Sequence, residues 1–186
     1  MKEAILAGVV PFLLLLSPGA LAHDLVWPGE KLKAMFPQAE SFEQKNLYIS
    51  DEQRARIEKM AGVPLPEEDL KPSLYLAVVR SAPGAPPRKA AAMLFIDAQG
   101  EGGKIEMGVV VNGKGELERI HLFENRESEK VTRSSFLKQF EGKKTSDPFK
   151  TGVDITAPAG QEKATQAIAS GAKRGLLIIN ELFKRK

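Results

Sequence analysis

Hydrophobic and polar residues alternate through the middle of the chain, in short runs bounded by Gly, Pro and Asn. This pattern predicts five β-strands, at residues 42–49, 74–80, 90–96, 105–111 and 117–123. The Asn112–Gly113 pair between the last two runs is a strong hairpin signal, because both central residues of such a turn need positive φ. We therefore expect an antiparallel meander in the middle of the protein.

Helical signals lie on both sides of the predicted strands. Ser50 and Gln53 form a capping box, which predicts a helix that runs to Met60 and stops at Gly62. A short helical turn is expected before Pro37. Two further helices are expected after the strands, at residues 132–140 and, as a long C-terminal helix, at 162–183.

The C-terminal helix has a stripe of small and apolar residues at spacings of three and four, and its two glycines suggest close packing on the sheet. The stripe consists of Ala164, Ile168, Gly171, Ala172, Gly175, Leu176 and Ile179. Together these patterns predict an α+β fold: an antiparallel sheet meander with helices packed on it and a long C-terminal helix.

The first 22 residues have the pattern of a secretory signal peptide. Lys2 precedes an apolar run from Ala4 to Leu16, and a Pro-Gly pair and Ala20-Leu21-Ala22 follow. We expect cleavage after Ala22, which leaves one domain over residues 23–186 without a membrane span; an uncleaved anchor is the alternative. In either case the protein is expected to be exported and periplasmic.

Composition removes several classes of function. The 186 residues include 27 Lys or Arg and 24 Asp or Glu, for a formal charge of +3, and the two signs are mixed along the chain. This balance argues against a nucleic-acid partner. With no Cys, the chain cannot form disulfides, thiolate metal sites, iron–sulfur ligands or attached c-type haem. With two His, no Ser-His-Asp arrangement is defensible, and we assign no catalytic or metal-binding residue.

An ordered set of motifs in the second half of the chain carries a resemblance. Glu127-Ser128 is followed by residues 136–143, by Asp147-Pro148, by residues 152–155 and by a loop with Gly160 that opens the last helix. This order resembles the flavin mononucleotide (FMN)-binding domain family. Its members are exported domains, known as subunits of ion-pumping electron-transport complexes and as the sensory half of a nitrous-oxide respiration regulator.

The resemblance implies where a flavin would bind and where this chain departs from the family. In the family, a Thr after a Gly-Ala pair accepts the flavin phosphate as an ester. In an alignment without gaps, Gln161 replaces the family Ala and Glu162 replaces the acceptor Thr; an alignment with a gap makes Thr165 the acceptor instead. The family glycine after the Glu-Ser/Thr pair is also missing. The implied flavin-binding residues are Glu127, Ser128, Asp154, Ile155, Gly160, Gln161, Glu162 and Thr165.

Because Glu162 has no hydroxyl and its carboxylate repels a phosphate, we expect any FMN to be bound non-covalently. The resemblance then implies periplasmic electron transfer, with a redox protein or a membrane electron-transport complex as partner, rather than an enzyme. The alternative is a degenerate member without cofactor, which acts as a periplasmic binding or accessory module.

Overall fold

The computed structural model describes residues 27–184, so the predicted signal segment, residues 1–22, lies outside the described residues. A five-stranded sheet forms the centre of the fold, and each strand is antiparallel to the next in the order β1-β2-β3-β4-β5. The strands are β1 (Ser41–Asn46), β2 (Ser73–Val79), β3 (Arg88–Gln99), β4 (Lys104–Asn112) and β5 (Leu117–Leu122). The predicted antiparallel meander is confirmed.

The first strand is shorter than predicted. It ends at Asn46, whereas the apolar pattern extends to Ile49. Beyond Asn46, the N–H of Leu47 donates to the carbonyl of Pro72 at 3.1 Å. Pro72 has no N–H to donate in return, so the regular ladder cannot continue past this point.

The hairpin between β4 and β5 is confirmed, but the predicted turn geometry is wrong. The N–H of Asn112 donates to the carbonyl of Glu116 at 2.9 Å, which leaves a three-residue loop. Positive φ falls on Gly115, at 77°, instead of on the Asn-Gly pair. Asn112 Oδ1 accepts from the N–H groups of Lys114 and Glu116 at 2.8 and 3.2 Å, so the asparagine organises the loop through its side chain.

Three of the helices follow the sequence signals closely. They are α1 (Gly29–Met35), α2 (Asp51–Ala61) and the C-terminal helix α5 (Glu162–Phe183). Two short helices, α3 (Glu129–Thr132) and α4 (Ser134–Leu137), lie between α2 and α5 in the chain. In the capping box of α2, Ser50 Oγ accepts from the N–H of Gln53 at 3.3 Å, and Gln53 Oε1 accepts from the N–H of Ser50 at 3.0 Å. Gly62 ends α2 with a φ of 76°.

The helix expected at residues 132–140 forms over residues 134–140, and a break at Arg133 separates it from a short helix before it. The segment forms α3 (Glu129–Thr132), α4 (Ser134–Leu137) and a 3₁₀ turn (Lys138–Phe140), with extended backbone at Arg133. Val131 and Phe136 are both buried. In a continuous helix, their spacing of five residues would place them about 140° apart, so both could not face one core.

The larger core lies between α5 and one face of the sheet, and α2 packs beside α5. A side chain at Gly171 would lie 2.5 Å from Met107 Cε, and one at Gly175 would lie 2.8 Å from Val109 Cγ2. The close packing of α5 on β4 that the small-residue stripe predicts is therefore confirmed. All seven residues of the stripe are buried.

The opposite face of the sheet carries a smaller core under α1. Leu32 and Met35 of α1 are fully buried there against β2, β3 and β4. Beside this core, five aromatic rings contact one another in a row, with centroid separations of 4.5–5.9 Å. The rings belong to Trp27, Tyr75, Phe95, Phe123 and His121.

Candidate functional site

The later part of the segment that carries the family resemblance, from Gln139 to the first turns of α5, is connected by hydrogen bonds. Gln139 accepts from the N–H of Thr156 at 2.8 Å and donates to the carbonyl of Thr156 at 3.2 Å. Gln166 of α5 accepts from the N–H of Thr151 at 3.0 Å and donates to the carbonyl of Phe149 at 3.2 Å. These paired bonds hold the loop that precedes α5 between the 3₁₀ turn and the helix.

Asp154 organises that loop. Its carboxylate accepts from Lys143 Nζ at 2.8 Å and from the N–H groups of Phe149 and Lys150 at 3.1 and 2.7 Å. Burial opposes ionisation of Asp154, but these donors outweigh burial and hold the pKa of its carboxyl below the usual range. The next residue, Ile155, is buried in the larger core. Both residues therefore have structural roles in this loop.

The first turn of α5 brings together the three residues that align with the family phosphate loop. Gly160 has a φ of 74°, and its N–H donates to Glu162 Oε1 at 3.3 Å. Gln161 Nε2 donates to the carbonyl of Gly160 at 2.7 Å, and no side chain among residues 27–184 caps the helix. The N–H groups of the first turn are therefore available to an anion, but the Glu162 carboxylate lies beside them.

Thr165 lies one turn further along α5 and is fully buried. Its Oγ1 has no hydrogen-bond partner within residues 27–184. A hydroxyl in this position does not face solvent, so it is not presented to a flavin phosphate. In this structure, neither Thr165 nor Glu162 fits as the acceptor of a covalent flavin ester.

The other half of the predicted site, Glu127 and Ser128, lies at the β3–β4 hairpin. Glu127 Oε1 accepts from the N–H of Gly102 at 2.8 Å, and Ser128 Oγ caps α3 by accepting from the N–H of Lys130 at 3.3 Å. Within residues 27–184, no hydrogen bond or ion pair joins this pair to the segment from Asp154 to Thr165.

Among the clefts on the surface of residues 27–184 are two that none of the eight predicted residues lines. The first, of about 390 Å³, lies where the C-terminal end of α5 meets the β4–β5 loop. The second, of about 330 Å³, lies between β5 and the segment from α3 to residue 141. His121 lines the second cleft, and burial lowers the pKa of its imidazole.

The sequence analysis also did not predict a buried ion pair that the structure contains. Arg174 Nε of α5 lies 2.5 Å from Asp69 Oδ2, and the Arg174 guanidinium also contacts the carbonyl of Asp97. Burial raises the pKa of Asp69 to about 6, against the opposing effect of the Arg174 charge. Asp69 and Arg174 are 105 positions apart in a single sequence, and no local pattern connects them.

Comparison with known proteins assigns the chain to no family. The structure defines an α+β domain with an antiparallel meander and a long C-terminal helix, but no family model matches the chain, and a search of curated proteins finds no match. In the part of the chain that the structure describes, no helix has both the length and the apolar character to cross a membrane. The same residues contain no group of three or more His, Cys, Asp or Glu suited to a metal ion.

Proposed function

We propose that this protein is an exported FMN-binding-type domain that acts in periplasmic electron transfer and holds its flavin without a covalent bond. The observation that carries the proposal is the connected unit at the start of α5. Two stretches that resemble the family, residues 136–143 and 152–155, are joined there by the bond from Lys143 to Asp154, and they lead into a long helix without a side-chain cap. The FMN would supply the electron-transfer chemistry, and the protein would bind and orient it.

The phosphate end of the flavin would lie at the first turn of α5, at Gly160 and Gln161. Anions are favoured at a helix N-terminus because its N–H groups and the helix dipole both present positive charge. Glu162 opposes this attraction and has no hydroxyl to form an ester, which is consistent with a non-covalent complex. A redox protein or a membrane electron-transport complex would exchange electrons with the flavin.

A second candidate function is a cofactor-free binding or accessory module. It is favoured by the hydrogen bonds that already occupy the polar groups implied in flavin binding: Glu127 with Gly102, Ser128 with Lys130, and Asp154 with Lys143. A ligand that used these groups would have to replace bonds that hold the fold.

The two candidates differ in the visible absorbance of the native protein. For the flavin-binding domain, protein purified in the presence of FMN retains flavin absorbance on gel filtration and loses it after denaturation and filtration. Colourless protein at saturating FMN would rule out the flavin-binding function and leave the accessory module. Flavin that stays with the denatured chain would contradict the non-covalent assignment.

The alignment itself has a separate test. The double substitution Glu162→Thr with Gln161→Ala restores the family residues at the start of α5, and we expect it to become covalently labelled when exported together with a flavin transferase. Glu162→Gln with Gln161→Ala is the matched control, since it removes the same charge without adding a hydroxyl. A folded, unlabelled threonine variant would show that the ungapped alignment is wrong. Labelling of the unmodified protein that Thr165→Ala abolishes would support the gapped one.

A further inference from the structure

The first cleft opens directly onto the larger core. Its floor consists of side chains that belong to that core: Leu76, Ala92, Val111 and Ile179. A volume of about 390 Å³ is within the lower part of the range found for small-molecule sites.

Small residues in the sequence account for the opening. Ala92 of β3 faces the larger core at the cleft floor, and both glycines of the β4–β5 loop also line the cleft. Alanine and glycine are depleted in strands, because they offer little side chain to pack against neighbours. Asn180 holds the loop in place by donating to the carbonyls of Gly115 and Leu176 at 3.1 and 2.9 Å. The cleft is therefore bounded by fixed backbone.

The charge at the cleft is of one sign. Lys89, Lys114 and Lys184 line it, and no Asp or Glu does so within residues 27–184. Lys89 pairs with Glu43 at 3.0 Å and Lys184 with Glu181 at 2.6 Å, both outside the lining. Both members of the Lys89–Glu43 pair are exposed, and exposed ion pairs contribute little free energy, whereas the partner of Lys184, Glu181, is buried. Lys89 and Lys114 are the more readily available of the three. The lysines are therefore able to contact an anion at the opening of the cleft.

We propose that this cleft is a binding site for a small amphipathic anion, specifically a carboxylate with a medium-length aliphatic chain. The chain would lie on the apolar floor, and the carboxylate would face the lysines at the rim. The site is independent of the proposed flavin site. Helix α5 has 22 residues and is about 33 Å long, so its two ends are far apart.

The proposal is tested by titration of the protein with decanoate, below the concentration at which decanoate aggregates, observed by methyl NMR. We expect saturable shifts at the methyl groups of Leu76, Val111 and Ile179, and none at Val131 on the far side of the core. Decanol, which has the same chain without the charge, should bind at least about tenfold more weakly. Absence of shifts at the three floor residues, shifts that never saturate, or equal binding of decanol would overturn the proposal.

Surface variants test the role of the lysines without disturbing the floor. Lys89→Gln with Lys114→Gln should weaken decanoate binding by about tenfold or more and leave decanol binding unchanged. Lys59→Gln, an exposed lysine on α2 that does not line the cleft, is the matched control and should have no effect. If the double variant binds decanoate as tightly as the unmodified protein, the lysines do not recognise the anion and the proposal fails. Flavin absorbance measured on the same samples keeps this outcome separate from the test of the flavin site.

Discussion

At the N-terminal end of α5, the carboxylates that the sequence singles out already have partners within the fold. Asp154 accepts three hydrogen bonds, and Glu162 accepts one from the backbone of its own turn. At the C-terminal end, no motif is recognisable, yet an apolar cleft lies open beneath three lysines. The comparison teaches that motif residues and available surface are separate properties: the first end carries the resemblance, and the second has the room for a ligand.

Both ends of α5 depend on how this helix packs on the sheet. The largest effect on stability is therefore expected from a substitution at the contact between α5 and the sheet. Gly175→Val places a side chain where a Cβ alone already lies 2.8 Å from Val109 Cγ2. We expect a loss of about 3 kcal/mol or more in the free energy of unfolding, measured by urea denaturation. Gly113→Ala, which meets nothing within 4 Å, is the control and should change stability by less than about 0.5 kcal/mol. A stable valine variant would show that α5 is not packed this closely.

The buried pair of Asp69 and Arg174 predicts the next largest effect, a dependence of stability on pH. Because burial raises the pKa of Asp69 from 3.8 to about 6, its protonated form is favoured in the folded state. This protonation adds to the free energy of unfolding below pH 4. The added stability, on the order of 3 kcal/mol in total, is lost as the pH rises to about 6. Asp69→Asn should remove this slope from urea denaturation curves. An unchanged slope would show that Asp69 does not titrate in this range.

Asp154 predicts a slope of the opposite sign at the other end of α5. Its pKa is lowered, so its stabilisation is present at neutral pH and is lost as pH falls below the ordinary Asp value of 3.8. Asp154→Ala removes the acceptor of three donors and should cost about 2 kcal/mol at pH 7. Asp147→Ala, which removes one such acceptor in the same loop, should cost less. Equal costs in denaturation experiments would mean that Asp154 does not organise the loop.

The smallest effect is expected at Thr165. Its buried hydroxyl has no partner among the described residues, so replacement by the isosteric valine removes an unsatisfied polar group. Thr165→Val should be neutral or stabilise the protein by about 1 kcal/mol, measured by thermal unfolding, while Thr165→Ala should destabilise it by leaving a cavity. Destabilisation by both substitutions would indicate that the hydroxyl does have a partner in solution.

Much of the fold could be predicted because its signals are local. Ser50, Gln53 and Gly62 act on backbone groups within a few residues of themselves, and the stripe of α5 repeats along one helix. The broken segment at Arg133 could not be predicted in this way, because the break depends on Val131 and Phe136 meeting the same distant core.

The candidate site was less accessible to prediction than the fold. The family resemblance placed Asp154 and Glu162 near the start of the last helix, but their hydrogen-bond partners could be identified only in the folded loop. Glu127 bonds to Gly102, which is 25 positions away in the chain. The lysines of the cleft come from β3, the β4–β5 loop and the end of α5, and no spacing in the sequence connects them.

The order of the strands has a consequence for how the chain reaches its folded state. Strands β2 to β5 are each joined to the next by a short loop, so this part of the meander can form hairpin by hairpin from contacts that are local and fast to close, whereas β1 pairs with β2 across a segment that contains α2. The larger core is different, because its second wall is α5, which follows all five strands in the chain. A chain whose synthesis has stopped before residue 162 holds a complete sheet with one apolar face uncovered. During biogenesis, protection of that face from aggregation therefore depends on the segment that forms α5.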